Sequence, residues 1–397
     1  MAEHRENRRG APDASTPLPA LAALFFRLGA TAFGGPAAHI AMMHAEVVVR
    51  RRWLSEARFL DLLGAANLIP GPNSTELAIH IGWERRRWTG LVVAGTAFIL
   101  PAMLITSVLG WAYVRFGSLP SAAWLLYGVK PVILSVVVQA IWGLAPKAAR
   151  STPLRALGGA ATLLAALGVN ELVVLFGAGA LAVAYSRVFA SSKPSGGSAL
   201  HLAPFFVPTA GAIAAPGVMT LTGLFWAFLK IGSVLFGSGY VLLAFLRADL
   251  VARLHWLTEA QLVDAVAVGQ VTPGPVFTTA TFIGYVLAGP KGALVATVGI
   301  FLPAFAFVAV SGPLVPKLRR SPLAGAFLDG VNVGSLALMT VVTVQLARAA
   351  IVDVPSAVLA AVSAAALLRF KPNATWLILG GAVAGWLAHF AGIVAPR

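Results

Sequence analysis

The chain has 397 residues, 58% of them apolar and only 11% charged, with a mean hydropathy of +0.85. That balance excludes an ordinary soluble domain and places the chain in a lipid bilayer. The formal charge of +15 does not signal nucleic acid, because the basic residues sit in short loops between apolar segments, as the positive-inside rule describes.

Taken in chain order, residues 1–19 are polar and carry His4, Arg5, Arg8 and Arg9. They lack the apolar core of a signal peptide and read as a cytoplasmic tail. Leu18–Val49 is an apolar stretch interrupted at Phe33-Gly34-Gly35-Pro36. Trp53-Leu54-Ser55-Glu56 is an ordinary helix start, with the tryptophan suited to the interface belt. Phe59–Trp83 lies between the triplets Arg50-Arg51-Arg52 and Arg85-Arg86-Arg87 and is broken near its centre by Pro70-Gly71-Pro72. Both triplets favour the cytoplasm, and each arm of about eleven residues reaches about halfway across the membrane, which predicts a re-entrant hairpin. Gly90–Tyr113 and Ala122–Leu144 are each long enough to cross it. Nothing alternates polar and apolar residues for long, so a barrel is not expected.

The chain then repeats itself at an offset of 203 positions. Phe25, Gly29, Phe33, Gly34, Arg50, Trp53, Asp61 and Pro70-Gly71-Pro72 recur as Phe228, Gly232, Phe236, Gly237, Arg253, Trp256, Asp264 and Pro273-Gly274-Pro275. After a one-residue deletion the match continues, pairing Gly90 with Gly292, Pro101 with Pro303 and Gly128 with Gly330. Residues 20–190 and 217–397 are therefore two copies of one unit, joined by a Ser/Gly/Pro-rich linker at 191–216. The expected fold is an all-α polytopic membrane protein of two homologous repeats with broken, re-entrant helices. Charge bias reverses between the halves: arginines precede Gly90–Tyr113, whereas Lys317, Arg319 and Arg320 follow its equivalent. That favours inverted topology, with the parity resting on whether Leu154–Arg187 crosses once or twice.

Duplication around mid-membrane breaks is the layout of secondary transporters, which hold substrate between the repeats. Proline after glycine restarts a helix, and the free N–H groups of the restarted helix attract anions. The expected substrate contacts are Gly34, Gly35, Gly71, Asn73, Ser74 and Thr75 in the first half and Gly237, Ser238, Gly274, Thr278 and Thr279 in the second. Asn67 and Gln270, three residues before each Pro-Gly-Pro, face the break or act as interhelical glue. Arg27 and Lys230 are the repeated intramembrane cations: they compensate a bound dianion, or else snorkel or pair with a carboxylate. Glu46 with Arg50 and Asp249 with Arg253 have i, i+4 spacing, suited to fixed pairs and, less often, to a gate latch. Asp61 and Asp264 are read equally as functional acids, carrying a coupling proton or pairing with Arg27 and Lys230, and as helix N-terminal acids.

Enzyme machinery and cofactors are not expected. No phosphate loop, Gly-x-Ser-x-Gly or His-Glu-x-x-His is present. His39, His44 and His80 lack metal-ligand spacing, and without cysteine there are no thiolate sites or thiol reductants.

Phe33-Gly34-Gly35-Pro36, Arg51-Arg52-Trp53-Leu54, Pro70-Gly71-Pro72, Phe236-Gly237-Ser238-Gly239 and Pro273-Gly274-Pro275 together resemble the chromate ion transporter family in its long, two-domain form. The resemblance covers about Leu21–Ala148 and Gly223–Val344. It implies a multi-pass protein of the cell inner membrane that lowers cytoplasmic chromate, two oppositely oriented domains, and functional residues concentrated in the first half. Asn73 and Glu76 depart from the small and hydroxyl residues expected after the first Pro-Gly-Pro, which leaves substrate preference open between chromate and sulfate. The expected partners are a small inorganic oxyanion and membrane lipid, with no nucleic acid, and a homodimer is compatible with the chain. The rival readings are a sulfate or oxyanion exchanger, a passive anion channel and a non-transporting scaffold.

Overall fold

The computed structural model describes residues 16–33, 35–117, 120–190, 219–236, 239–311, 321–370, 372 and 374–391. The expected linker, most of the N-terminal tail, Gly34, Gly237, Ser238 and the basic run at Lys317, Arg319 and Arg320 lie outside these residues. Among the described residues there are fourteen α-helices and no strand. Five helices are long and apolar enough to cross a membrane.

In the first repeat α1 (Leu18–Thr31) and α2 (Gly35–His44), extended by a π-helical turn at Ala45–Arg50, meet at the first break. Thr16, just before α1, accepts from Arg85, which also donates to the Trp53 carbonyl at 3.2 Å. Both ends of this pair therefore lie at one arginine-rich base, and the pair is re-entrant. α3 (Glu56–Ala66) starts where Ser55 caps the Arg58 N–H and runs to the Pro-Gly-Pro break. α4 (Asn73–Phe116) returns from it, turns at Arg86 and Arg87, and so divides into a half-length arm and a full crossing. A bidentate Arg58–Glu84 pair closes the base of the α3–α4 hairpin, as the arginine triplets and the central break predict. Gly82 and Gly90 let the two arms of α4 touch, since a Cβ on either would overlap the other's carbonyl. α5 (Pro120–Ala148) recrosses to the arginine-rich base, followed by α6 (Thr152–Ala166) and α7 (Glu171–Ala190). Leu154–Arg187 thus holds two helices, and of these it is α7 that is long and apolar enough to cross a membrane.

The second repeat repeats this order. α8 (Leu221–Val234), α9 (Leu242–Leu246) with a π-helical turn at Arg247–Arg253, and α10 (Glu259–Val271) match α1 to α3. α11 (Thr279–Ser311), broken at Ala288 and Gly289, matches α4. α12 (Pro322–Ala350), α13 (Val354–Phe370) and α14 (Ala374–Phe390) match α5 to α7.

Equivalent helices run antiparallel. Gly95 of α4 lies against Phe305 of α11, and Gly110 against Tyr285. Arg150, after α5, pairs with Asp329 near the start of α12, while Tyr127 near the start of α5 donates to Asp353 beyond the end of α12. The two repeats are therefore inverted with respect to each other. They also exchange packing partners: α7 packs on α12 through Gly330 and Gly334, and α14 packs on α5 through Gly128, Gly381 and Gly385. One apolar core spans both repeats, from Phe228 and Phe245 to Val132 and Ile133.

Candidate functional site

At the centre of the molecule each Pro-Gly-Pro break crosses the first break of the other repeat. The Gly71 N–H donates to the Leu235 carbonyl at 2.7 Å, and the Gly274 N–H to the Ala32 carbonyl at 2.9 Å. Each break of one repeat is thus tied to the first break of the other. Both glycines have positive φ, 138° and 91°, where an L side chain is strained.

From this crossing a cavity of about 1040 Å³ opens. Asn67 and Asn73 line its inner end, Gln139, Asn332 and Ser335 its walls, and Lys147 its outer end. Because α5 runs back to the arginine-rich base, the mouth at Lys147 lies on that side. The Asn73 amide donates to the Asn67 Oδ1 at 2.6 Å, while the Asn73 Oδ1 and the Ser335 hydroxyl have no hydrogen-bond partner. α4 begins directly at Asn73, so the Asn73 and Ser74 N–H groups have no partner within the helix, whereas those of Thr75 and Glu76 donate to the Pro72 carbonyl at 2.8 and 3.0 Å. Among the described residues no carboxylate lines this vestibule. Backbone N–H donors at a helix start, with Lys147 at the mouth, suit a small anion.

The inverted repeat has a counterpart of this space. Ile40, Asn332, Ser335, Leu336, Met339 and Leu144 correspond to Leu243, Lys130, Ile133, Leu134, Val137 and Leu346, which surround only about 10 Å³. This side is packed shut by apolar side chains, and a charged group ties it. Lys130 of the first repeat pairs with Asp264 of the second at 3.2 Å, and the Tyr113 hydroxyl donates to Asp264 at 2.9 Å. The protein is open on one side of its pseudo-twofold axis and closed on the other.

The remaining candidates from the sequence fall into three groups. Ser74 and Thr75 are buried behind Asn73, with Ser74 held by His39 Nδ1 at 3.2 Å while His39 Nε2 meets the Ala32 carbonyl at 3.1 Å. Gly35 stands at the first break next to the vestibule residue Pro36. In the second half, Thr278 and Thr279 are buried and donate to the Pro275 and Val276 carbonyls, and Gln270 does not line the vestibule. The break at Gly274 is thus closed where the break at Gly71 adjoins open space.

Arg27 and Lys230 lie away from the vestibule lining, in charge clusters at the bases of their repeats. Arg27 pairs with Glu46 at 2.7 Å, and Glu46 also takes Arg50 at 2.8 Å and Arg51 at 3.3 Å. Burial pushes the Glu46 carboxyl up, but the hydrogen bonds from Arg50 and Arg51 and the charges of Arg27 and Arg50 outweigh it and hold it below the usual carboxylate range. Lys230 binds both Asp249 oxygens at 2.9 and 3.0 Å, with Arg253 on Asp249 at 2.8 Å and Glu171 at 3.6 Å. Asp61, on α3, adds its charge to the field at Arg58. Arg27→Gln is expected to cost only about 0.5–1 kcal/mol in thermal stability, because Glu46 keeps two arginines and Arg27 is half exposed. Unchanged anion affinity with a small drop in melting temperature would match this geometry, and a lost anion site would contradict it.

Gln139, Asn332, Ser335, Lys147, Lys130 and Tyr113 were not legible as site residues. Their signal was a polar residue inside an apolar span whose repeat counterpart is of another kind, as Lys130 is to Asn332 and Ser335 to Ile133.

The sequence profile of the family described as "Chromate transporter" matches twice, over residues 19–183 and 222–386. A protein named "Chromate transport protein" in Cupriavidus metallidurans is 35% identical over 369 residues, covering 92% of each chain. Another of that name in Pseudomonas aeruginosa is 34% identical over 388 residues, covering 93% of this chain and 92% of its own. No solved structure matches. With the profile matching both inverted repeats and relatives this similar along nearly their whole length, the chain is a multi-pass membrane protein that belongs to the chromate transporter family.

Proposed function

We propose that this protein is a secondary transporter that exports chromate, a tetrahedral dianion, across the cell inner membrane by alternating access. The observation that carries the mechanism is the pair of pseudo-equivalent spaces, one of about 1040 Å³ and the other of about 10 Å³. Inverted repeats interconvert two such states by exchanging conformations. The names of the relatives support the substrate. The open side faces the arginine-rich base, read as cytoplasmic by the positive-inside rule, and in an export cycle this is the state that takes up the anion.

In this reading residues 20–190 and 217–397 are the two repeats that exchange conformations. Lys147 draws the anion into the vestibule. Asn67, Asn73, Ser335 and the first N–H groups of α4 replace part of its hydration shell. At about 100 mV, negative inside, a dianion gains roughly 4.6 kcal/mol on leaving, so no ATP-driven step is needed.

The test is uptake of labelled chromate and sulfate into inside-out vesicles, with and without imposed voltage. Saturable, voltage-assisted chromate uptake is expected. Asn73→Asp puts a like charge at the inner end, on the order of 2 kcal/mol of repulsion or more, and uptake should fall by more than about tenfold. Sulfate uptake alone would change the substrate, non-saturating flux would make the protein a channel, and no flux of either would overturn the reading.

A further inference from the structure

The short arm of α4 carries a line of ionisable residues that the anion site does not use. Glu76, His80 and Glu84 are spaced by four and share one helix face, about 6 Å apart from Cβ to Cβ. Glu76 lies at the central crossing. It has no solvent exposure, neither carboxylate oxygen has a hydrogen-bond partner, and a Cβ on Gly71 would overlap its Oε1. His80 is buried one turn further on, with Nε2 unpartnered. Glu84 lies at the arginine-rich base, one quarter exposed and paired with Arg58. The line runs from solution to the crossing. The matching arm of the second repeat, Thr278–Leu287, contains neither acid nor histidine.

A bare carboxylate at Glu76 would be an uncompensated buried charge, so this conformation accommodates the neutral acid. The charges around it are few. On its own helix stand His80 and Glu84, on α2 His39 with both ring nitrogens engaged, on α3 Asp61 and the paired Arg58, and on α1 Arg27, which is held by Glu46. From α11, Ala304 lies against Gly71 beside the Glu76 carboxyl, and Lys291 lies near the break of that helix at Ala288 and Gly289. None of these forms an ion pair with Glu76 among the described residues.

We infer that Glu76 is a proton site coupled to the anion site, loaded from the arginine-rich face through Glu84 and His80. A proton taken up at Glu84 passes to His80 Nε2 and then to a Glu76 oxygen, which leaves His80 neutral again. The inference rests on reading the vestibule as an oxyanion site, with its inner end at Asn73 less than one helical turn from Glu76. A dianion there favours the neutral acid, and by linkage the proton tightens anion binding. Anion affinity therefore falls as pH rises. One proton moves with each dianion, so each cycle carries one net negative charge instead of two, and voltage still drives it outward.

The experiment uses the full chain in proteoliposomes with voltage clamped by potassium and valinomycin, a chromate gradient and an entrapped pH dye. The wild type should move protons in the same direction as chromate, with chromate flux falling as pH rises. Glu76→Gln should move chromate with no proton movement and a flat pH profile. If that variant does not reach the membrane, His80→Asn carries the test, with proton movement slowed relative to chromate flux. Chromate flux without protons in the wild type, proton movement that survives Glu76→Gln, or a requirement for sodium would overturn the proton site and leave the oxyanion reading standing. Absence of both chromate and sulfate flux in the wild type would sink both.

Discussion

Lys130→Ala is expected to open the closed side of the protein to water. Lys130 and Asp264 are 19% and 5% exposed, and their pair joins the first repeat to the second across the collapsed space. Removing one partner of a buried pair leaves the other uncompensated, at a cost of about 3 kcal/mol, and hydrating Asp264 relieves that cost only if this side opens. Such a shift moves a two-state equilibrium by roughly a hundredfold. The cysteine-free chain allows a clean readout from single cysteines. Ser335→Cys, in the open vestibule, should react with a charged thiol reagent applied from the arginine-rich face. Its counterpart Ile133→Cys should be protected in the parent and react from the opposite face once Lys130 is alanine. Continued protection of Ile133→Cys in that background would remove the latch, and with it the support this pair gives to alternating access.

Gly274→Ala is expected to cost about 2–4 kcal/mol and to abolish transport. Its φ of 91° is strained for alanine, and the new Cβ would lie 2.8 Å from both the Gly29 carbonyl oxygen and the Ala102 Cβ. The first of these is backbone of a packed helix and cannot swing aside. Any shift that relieves the contact also pulls the Gly274 N–H from the Ala32 carbonyl, one of the two bonds at the crossing. Gly289→Ala is the control: its φ is 60°, but nothing lies within 4 Å of a Cβ there, so the cost should be near 1 kcal/mol. Thermal unfolding in detergent compares the two. Equal melting temperatures would mean that the crossing is not the rigid centre described above.

What sequence determines here is what is local or repeated. The breaks at Pro70-Gly71-Pro72 and Pro273-Gly274-Pro275 are legible because glycine and proline interrupt a helix wherever they fall in this order. The helix starts at Ser55 and Thr258, the re-entrant hairpins bounded by arginines, and the two-copy architecture follow from equally short-range signals. Arg27 and Lys230 mark the limit of that reading: their recurrence is visible, but whether each faces an anion or a carboxylate depends on a partner in another helix, and here Glu46 and Asp249 take them. The tertiary structure alone decides which break adjoins open space. Asn332 and Ser335 reach the vestibule, and Lys130 reaches Asp264, because the inverted repeats exchange helices, which sets residues far apart in sequence side by side. The duplication makes two equivalent sites, and only packing across the pseudo-twofold axis makes one of them polar and open and the other apolar and shut.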